Sequence, residues 1–529
     1  MLEYSLQSLS LWQGARQRVA KEEKFMKKNN RGIRTVFTAG VLLVLVIAAA
    51  WTLKHRKADE PADAEIKIET PVSEEEAPVE ETAPAAEPTV DPAAEQAAKE
   101  EATRQEQEKS TFATDYESEP LLNTISIKYL SLEVGGTDDE IRLNWMSPSG
   151  SAGQVSWYTV QDGTFQMVTA QCSASQTMPG YYVNKATVTG LQPGMTYAYK
   201  VGNDAGGWSP EYKYTVPEGD TKEGFTFLVT SDAEIGQDQY QEEEVTVENW
   251  DKVVTRLTNY VPEAQFMVHA GDQVAQFGNA EEYSGFLDHL GLYKIPLAPV
   301  TGNHDVANEQ ICKELGYGGG PFFYEHFNVP NRSDTYGMSE YDKDGDYYFI
   351  RGDVLFLVLN SITAQETDTH EEYVPKVIAE HPDTKWRVII QHYPAYSSVK
   401  RYQDQMDSWI RKSLAYICAD NDIDLVITGH DAVYSRSAFI NRECARIDNN
   451  YDYASGATAV NPEGTMYVVC GTSSGSLYQG VTPNGNLVCQ IEQEQPMAIR
   501  FDVTDRELRL KAYTVDDWTV RDEYTIRKE

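Results

Sequence analysis

Polar and apolar residues alternate along the stretch from about residue 121 to residue 217. Ile141, Leu143 and Trp145 are separated by polar neighbours, and Val155 and Trp157 repeat the pattern. Turns rich in glycine and proline separate these runs. Alternation with a period of two, broken at short intervals by turns, is typical of a sandwich of short antiparallel strands. We therefore predict an all-β sandwich domain over residues 119–217, with the tryptophans in its core.

Residues 222–529 follow a different pattern, in which short apolar runs end in a polar residue. Six segments share this design: FTFLVTSD, FMVHAGD, LAPVTGNHD, VLFLVLN, RVIIQH and DLVITGH. Continuous apolar runs of this length suit strands that are buried on both faces. Helical patterns lie between them, for example over residues 247–260 and 404–419. The pattern predicts an α/β domain over residues 222–529.

An uncharged apolar run over residues 35–53 is long enough to cross a bilayer core as a helix. The excess of basic residues before it favours a cytoplasmic location for residues 1–34. A signal peptide cleaved near residues 48–50 is the alternative. In either case the folded domains are exported. We therefore expect a single-pass protein of the cell membrane with its domains outside, or a secreted protein if the segment is cleaved.

Residues 54–118 are rich in Glu, Ala and Pro, and this composition predicts a disordered acidic linker. The whole chain of 529 residues has a formal net charge of −37. Such acidity argues against a nucleic-acid partner, because phosphate groups would be repelled over most of the surface. The six cysteines are too scattered to indicate a disulfide scaffold. The sequence indicates no protein partner.

Candidate chemistry comes from the residues that end the apolar runs of the α/β domain. They are Asp232, Asp272, Asn303, His392 and His430. A single Asp at the end of a strand is usually a helix cap or a turn residue, and a single His is usually structural. Ligands of α/β sheets, however, gather at the carboxyl ends of strands. Five such residues in the same context therefore predict one shared site.

The order D…GD…GNHD…H…GH resembles that of the calcineurin-like metallophosphoesterases. The phrases HAGDQV, TGNHD, QHYPAYS and GHDAVYSR, which follow the β-sandwich, are most similar to the purple acid phosphatase branch. This resemblance implies a fibronectin type III-like domain followed by a four-layer α/β sandwich. The segment TGLQPGMTYAYKV, with Tyr197, resembles the tyrosine corner of a fibronectin type III domain.

The resemblance also implies a site with one or two divalent metal ions, namely Mn, Zn, Fe or Mg. Asp272 matches the carboxylate that bridges two metals. Asn303, His392 and His430 would complete the second metal position. His304 matches a catalytic histidine that stabilises the transition state or protonates the leaving group, and Asp305 is expected to orient it.

The first metal position is where this sequence departs from the family. Asp232 is present, and Glu234 stands where the wider superfamily often has His. Ala275 and Ala432 replace two further side chains that bind metal in the family. Asp232, Glu234 and Asp272 would form an all-oxygen ligand set that suits Mg²⁺, Mn²⁺ or Ca²⁺. Compensation by Asp431 or Tyr434 is an open alternative.

Two functions follow from this site. The first is metal-dependent hydrolysis of extracellular phosphate esters, as a phosphomonoesterase or a phosphodiesterase with an altered first metal site. The second is a binding or scaffold protein built on a catalytically impaired phosphoesterase domain and displayed at the cell surface. Similarity of fold alone does not decide between them.

Overall fold

The structure is a computed structural model that describes residues 126–237, 243–306, 322–340, 342–406, 410–448 and 451–529. The predicted cytoplasmic segment (1–34), membrane segment (35–53) and acidic linker (54–118) lie outside these ranges. Among the described residues, no helix is long and apolar enough to cross a membrane.

The amino-terminal part is all-β, as predicted. Its strands are β1 (Lys128–Val134), β2 (Glu140–Ser147), β3 (Gln154–Thr159), β4 (Phe165–Thr169), β5 (Gln171–Ala174), β6 (Tyr182–Thr189), β7 (Thr196–Asn203), β8 (Gly207–Trp208) and β9 (Tyr212–Thr215). Trp145 and Trp157 are buried in the core between its two sheets. The Tyr197 hydroxyl accepts a hydrogen bond from the Gln192 backbone N–H at 2.9 Å, which is the contact expected of a tyrosine corner.

The α/β part contains all six strands predicted from the apolar runs. Its strands are β10 (Gly224–Thr230), β11 (Ala264–His269), β12 (Leu297–Pro299), β13 (Tyr347–Arg351), β14 (Val354–Leu359), β15 (Trp386–Gln391), β16 (Leu425–Thr428), β17 (Tyr434–Ser437), β18 (Thr458–Val460), β19 (Met466–Val469), β20 (Leu487–Ile491), β21 (Met497–Thr504), β22 (Glu507–Thr514) and β23 (Thr519–Arg527). Its helices are α1 (Glu243–Tyr260), α2 (Ala280–Leu287), α3 (Phe322–His326), α4 (Ala364–Thr367), α5 (His370–Glu380), α6 (Lys400–Met406) and α7 (Arg411–Asp420).

Two sheets face each other across the main core of the α/β part. One contains β10, β11 and β12 in parallel, and the other contains β14, β15, β16 and β19 in parallel. Phe266 of β11 contacts Phe356 of β14 edge-to-face across this core. Trp250 of α1 packs on the outer face of the first sheet, and Leu414 of α7 packs in a second core beside the other sheet. The result is the predicted order of helix, sheet, sheet and helix.

The sheets of the two predicted domains are joined, which the sequence did not indicate. Strand β1 pairs in parallel with β12, with Glu133 opposite Leu297. One sheet therefore runs through eleven strands in the order β18-β23-β22-β21-β10-β11-β12-β1-β2-β6-β5. The outer edge of β12, a strand of three residues, is paired with β1 of the amino-terminal sandwich and is therefore not an open sheet edge.

Candidate metal centre

The carboxyl ends of the parallel strands bring the predicted site residues together. Asp272 follows β11, Asn303 follows β12 and His392 follows β15. His392 Nε2 lies 3.1 Å from Asp272 Oδ2 and 3.1 Å from Asn303 Oδ1. The Asp232 carboxylate accepts hydrogen bonds from the His430 backbone N–H at 2.9 and 3.0 Å. Residues from five strand ends thus meet in one volume, as the sequence predicts.

Asp272, His392 and His430 form one group of potential metal ligands. Their ligand atoms lie within 4.8 Å of one another. His430 Nε2 is buried and has no hydrogen-bond partner among the described residues. A buried nitrogen without a partner is costly unless something absent from the protein fills that role. This set of two imidazoles and a carboxylate, with the Asn303 oxygen beside it, fits a divalent metal ion such as Zn²⁺, Mn²⁺ or Fe²⁺.

Glu234, Asp272 and His304 form a second group, and Asp272 is common to both groups. The ligand atoms of this group also lie within 4.8 Å of one another. The loops after β10 and β11 run side by side beyond the strands, since the Glu234 backbone N–H donates to the Asp272 carbonyl at 2.9 Å. His304 is held above them, with its Nδ1 atom 2.8 Å from the Ala275 carbonyl oxygen.

Asp232 belongs to neither group in the part of the chain that the structure describes. Its carboxylate accepts hydrogen bonds from the Ser231 hydroxyl and from the His430 backbone N–H. Asp232 therefore fixes the position of the loop that carries His430.

Asp305 does not orient His304, and that expectation is corrected. Its buried carboxylate accepts hydrogen bonds from four backbone N–H groups, those of Gly302, Asp272, Gln273 and Val274. The His304 ring is instead held through the Ala275 carbonyl group. Asp305 is thus a positioning residue that ties the loop after β12 to the loop carrying Asp272.

Asp431 and Tyr434, the alternative ligands considered for the first metal position, make other side-chain contacts in the structure. The Asp431 carboxylate accepts hydrogen bonds from the Ser397 hydroxyl and the Ser398 backbone N–H, both at 2.7 Å. The Tyr434 hydroxyl donates to Asp522 at 2.8 Å. Both side chains are therefore engaged away from the group that contains Glu234.

Strained backbone conformations are concentrated at this site. Five non-glycine residues of the ligand loops have positive φ angles: Asp232 (49°), Glu234 (39°), Asp272 (56°), His430 (72°) and Ala432 (50°). Such conformations cost free energy and persist where the surrounding structure enforces them, as at functional sites. Gly271, at φ 99°, permits a close approach of the loops, because a Cβ atom there would lie 2.3 Å from His392 Nδ1.

A hydroxyl-rich loop after β19, residues 472–476, forms a strap that is hydrogen-bonded to the loop after β10. The Thr472 and Ser476 hydroxyls donate to the Asp232 carbonyl at 3.0 and 3.2 Å, and the Ser474 hydroxyl donates to the Ala233 carbonyl at 2.6 Å. The sequence analysis missed these residues. The run of small hydroxyl residues directly after a buried strand was the signal that marked them.

Two tyrosines that the sequence analysis also missed flank His430. The ring centroids of Tyr393 and Tyr402 lie 4.5 and 4.2 Å from that of His430. They shield one side of the imidazole from solvent. Their aromatic character alone gives no sign of this role, since most tyrosines of the chain pack in cores.

The electrostatics of the site are dominated by buried charges close to one another. Burial lowers the pKa of His392, but the attraction of Asp272 outweighs it and raises that pKa to about 10. For Asp272, burial acts upward, but His392 and His304 hold the pKa well below its usual range. Burial raises the pKa values of Asp232 and Glu234. Burial and repulsion by His392 hold the pKa of His430 well below its usual range. Several carboxylates in so small a buried volume call for cations close by.

Comparisons with known proteins agree with this architecture. The family model for the purple acid phosphatase N-terminal domain matches residues 127–216, and the model for calcineurin-like phosphoesterases matches residues 225–434. No curated protein matches the chain. These families use divalent metal ions, and the two ligand groups are the residues of this chain that fit them.

Two solved structures show how far the likeness extends. A purple acid phosphatase isolated from yellow lupin (Lupinus luteus) seeds superposes with a TM-score of 0.58 at 18% sequence identity, over 76% of this chain and 75% of that chain. A predicted phosphoesterase from Streptococcus pneumoniae is 12% identical over 57% of this chain and 98% of its own, with a TM-score of only 0.25. The first likeness shows a shared fold, and the second is too weak to indicate one. The chain therefore has the two domains of a purple acid phosphatase-like protein, an N-terminal domain of that family followed by a calcineurin-like phosphoesterase domain.

Proposed function

We propose that this protein hydrolyses phosphate esters outside the cell with the help of divalent metal ions, at a centre whose first metal position is altered. One observation carries the proposal: the buried Asp272 carboxylate is shared by two groups of potential ligands at the carboxyl ends of the central strands. A shared carboxylate between two cations is the arrangement that two-metal phosphoesterases use. Both domain matches support metal-dependent phosphoester hydrolysis in general.

The residues of the metal centre have different roles, since some would bind metal ions and one would face the substrate. Divalent ions bound there would polarise the phosphoryl group and lower the pKa of water. His392 and His430 would hold one ion, with Asn303 beside His392 and Asp272 as the shared ligand. Their positions are rigid because the ligands follow strands buried in the core. His304 is half-buried and would border the space that a phosphate ester enters.

The test is an assay of the full chain, purified in detergent, after metal removal and reloading. Hydrolysis of p-nitrophenyl phosphate and of bis(p-nitrophenyl) phosphate would be measured with Mn²⁺, Zn²⁺, Mg²⁺ and Fe²⁺ added separately. We expect hydrolysis with at least one metal, and its loss in His392→Ala. As a matched control, His381→Ala changes a half-buried histidine outside the site and should retain activity. Absence of hydrolysis with every metal would favour the alternative of a binding or scaffold protein.

The proposed location is the outer face of the cell membrane, with residues 35–53 as the anchor. The uncharged run and its basic amino-terminal flank support this proposal. Protease added to intact cells should remove the folded domains and leave the amino-terminal segment protected. Release of the domains into the medium without protease would instead indicate cleavage of a signal peptide, and full protection would contradict export.

A further inference from the structure

We propose that His304 is a ligand of the first metal position, which it completes together with Glu234 and Asp272 in place of the side chains missing at Ala275 and Ala432. This inference rests on the proposed function, because it assigns a ligand within the same two-metal centre. It departs from the resemblance, which implies that His304 acts on the substrate.

The distances fit a metal ion. The ligand atoms of Glu234, Asp272 and His304 lie within 4.8 Å of one another. Bonds from Zn²⁺ to imidazole nitrogen and carboxylate oxygen are about 2.0–2.2 Å long, so two ligands of one ion lie at most about 4.4 Å apart. Small side-chain movements therefore suffice to bring all three onto one cation.

The orientation of the His304 ring is that of a metal ligand. Its Nδ1 atom lies 2.8 Å from the Ala275 carbonyl oxygen, which can only accept, so Nδ1 carries a proton and Nε2 is the nitrogen left for a metal ion. His392 is held in the same way, with Nδ1 2.9 Å from the Ala270 carbonyl oxygen. A backbone carbonyl that fixes the tautomer is the usual support of a histidine that binds metal. The turn around Asp272 thus supports one histidine on each side.

The two oxygens of Asp272 face the two groups. Oδ2 lies 3.1 Å from His392 Nε2, on the side of the second metal position. Oδ1 accepts a hydrogen bond from the His304 backbone N–H at 2.8 Å, on the other side. A carboxylate placed in this way can give one oxygen to each of two cations. His304 therefore lies beside Oδ1 through its backbone, as His392 lies beside Oδ2 through its ring.

Glu234 supplies the remaining ligand of the first position. Its side chain is buried, and Oε2 accepts a hydrogen bond from Gln237 Nε2 at 2.9 Å. Its backbone is held in the left-handed region at φ 39°, so the loop directs this one residue beside Asp272. The donor set becomes one imidazole and two carboxylates. This set suits Zn²⁺, Mn²⁺ or Fe²⁺ better than the all-oxygen set expected from the sequence.

Asp232 and Asp431 lie outside this group of potential ligands among the described residues. Asp232 holds the backbone of the loop carrying His430, Asp431 holds Ser397 and Ser398, and Ala432 has no ligand atom. A histidine that gives its Nε2 lone pair to a cation cannot also carry a proton there for a leaving group. The two roles for His304 are therefore distinguishable by experiment.

The test measures Mn²⁺ content and Mn²⁺ coupling in the full chain, not activity alone. Protein loaded with Mn²⁺ and freed of excess would be analysed by elemental analysis and by electron paramagnetic resonance, which separates a coupled pair of ions from a single ion. We expect about two Mn²⁺ per chain and a coupled signal in the unmodified protein. His304→Ala and Glu234→Gln should each leave about one Mn²⁺ and an uncoupled signal. Glu234→Gln preserves side-chain size, so it tests the same position if His304→Ala fails to fold.

Each outcome has one meaning. His381→Ala, the matched control, should keep the Mn²⁺ content and signal of the unmodified protein. Retention of two coupled ions in His304→Ala would overturn the inference and return His304 to the role implied by the resemblance, with the proposed function intact. A single ion in the unmodified protein would also overturn the inference. Absence of any bound ion, together with absence of hydrolysis, would instead contradict the proposed function itself.

Discussion

The second metal position and the first share Asp272, yet they are built in different ways. The second takes its histidines from positions one and two residues beyond two neighbouring parallel strands, β15 and β16, so the sheet largely sets their spacing. The first takes Glu234 and His304 from farther along the loops, four residues beyond β10 and five beyond β12, and those loops are fixed by hydrogen bonds to backbone groups. A position set by strands tolerates little change. A position set by loops can exchange one ligand for another, because the loop can be held in a new place.

On the proposed assignment, this difference accounts for where the sequence departs from the pattern that the family resemblance implies. The residues that would be expected at Ala275 and Ala432 belong to the first position, whereas Asn303, His392 and His430 of the second are all present. Replacement of ligands is confined to the half that depends on loops. The comparison predicts that variants of the shared residue have the largest effect, followed by variants of either half, and finally by variants of the loops that support the first position.

The largest effect is expected for Asp272→Asn. This change keeps the side-chain size but removes the negative charge that lies between the two positions, so both ions should be lost. Hydrolysis should fall about a thousandfold, because metal-dependent stabilisation of the transition state disappears. Elemental analysis and the p-nitrophenyl phosphate assay check this. Asp420→Asn, which changes an exposed aspartate paired with Arg442, is the control and should alter neither. If Asp272→Asn kept one or two bound ions per chain, Asp272 would not be a ligand common to both metal positions.

A smaller effect is expected for His430→Ala, which breaks only the second position. The Nε2 atom of His430 is a buried nitrogen without a hydrogen-bond partner in the described chain, so its removal deletes a ligand together with the ring contacts to Tyr393 and Tyr402. We expect about one Mn²⁺ per chain and activity about a hundredfold lower. The double variant His304→Ala/His430→Ala should bind none. Loss of both ions in His430→Ala alone would mean that the two positions are not independent.

The two halves also differ in how well sequence predicts them. The strand ends that carry Asp272, Asn303 and His392 could be predicted, because an apolar run fixes a buried strand and parallel strands share one edge. The likeness to a family then supplied their roles. The layered order of the α/β part was likewise implied by that likeness, whereas the runs alone predicted only an α/β domain.

Side-chain contacts to distant backbone groups could not be predicted. Asp305 accepts hydrogen bonds from the loop of Asp272, and Asp431 accepts them from the segment of Ser397. Ser474 donates a hydrogen bond to the loop of Asp232, 241 positions away in the sequence. No local pattern encodes which backbone group a carboxylate or hydroxyl reaches. The joining of the sheets through β1 and β12 escaped prediction for the same reason, since a three-residue edge gives no signal of its partner.

Restoration of the missing histidine gives a further test of the first position. Ala432→His adds a ligand at the end of the loop that follows β16, where φ is 50°, a conformation that histidine tolerates better than most residues. Ala432 is 0% exposed, so the larger ring must displace its neighbours, and thermal unfolding should be recorded as a check on folding. We expect Mn²⁺ affinity of the first position to rise about tenfold. Unchanged affinity and unchanged activity in a folded variant would show that residue 432 does not adjoin this position.

The smallest effect is expected for Ser474→Ala, which loosens the loop of the first position without touching a ligand. The Ser474 hydroxyl donates to the Ala233 carbonyl, one residue before Glu234, and loss of this hydrogen bond should cost about 1 kcal/mol of unfolding free energy. Because Glu234 is then held less firmly, Mn²⁺ affinity of the first position should fall several-fold, up to about tenfold, while the second position is unaffected. Ser435→Ala is the matched control, since Ser435 is buried and its hydroxyl has no hydrogen-bond partner among the described residues. If Ser474→Ala lowered the Mn²⁺ affinity of both positions equally, the loop of residues 472–476 would support the centre as a whole. The contrast between a position set by strands and one set by loops would then fail.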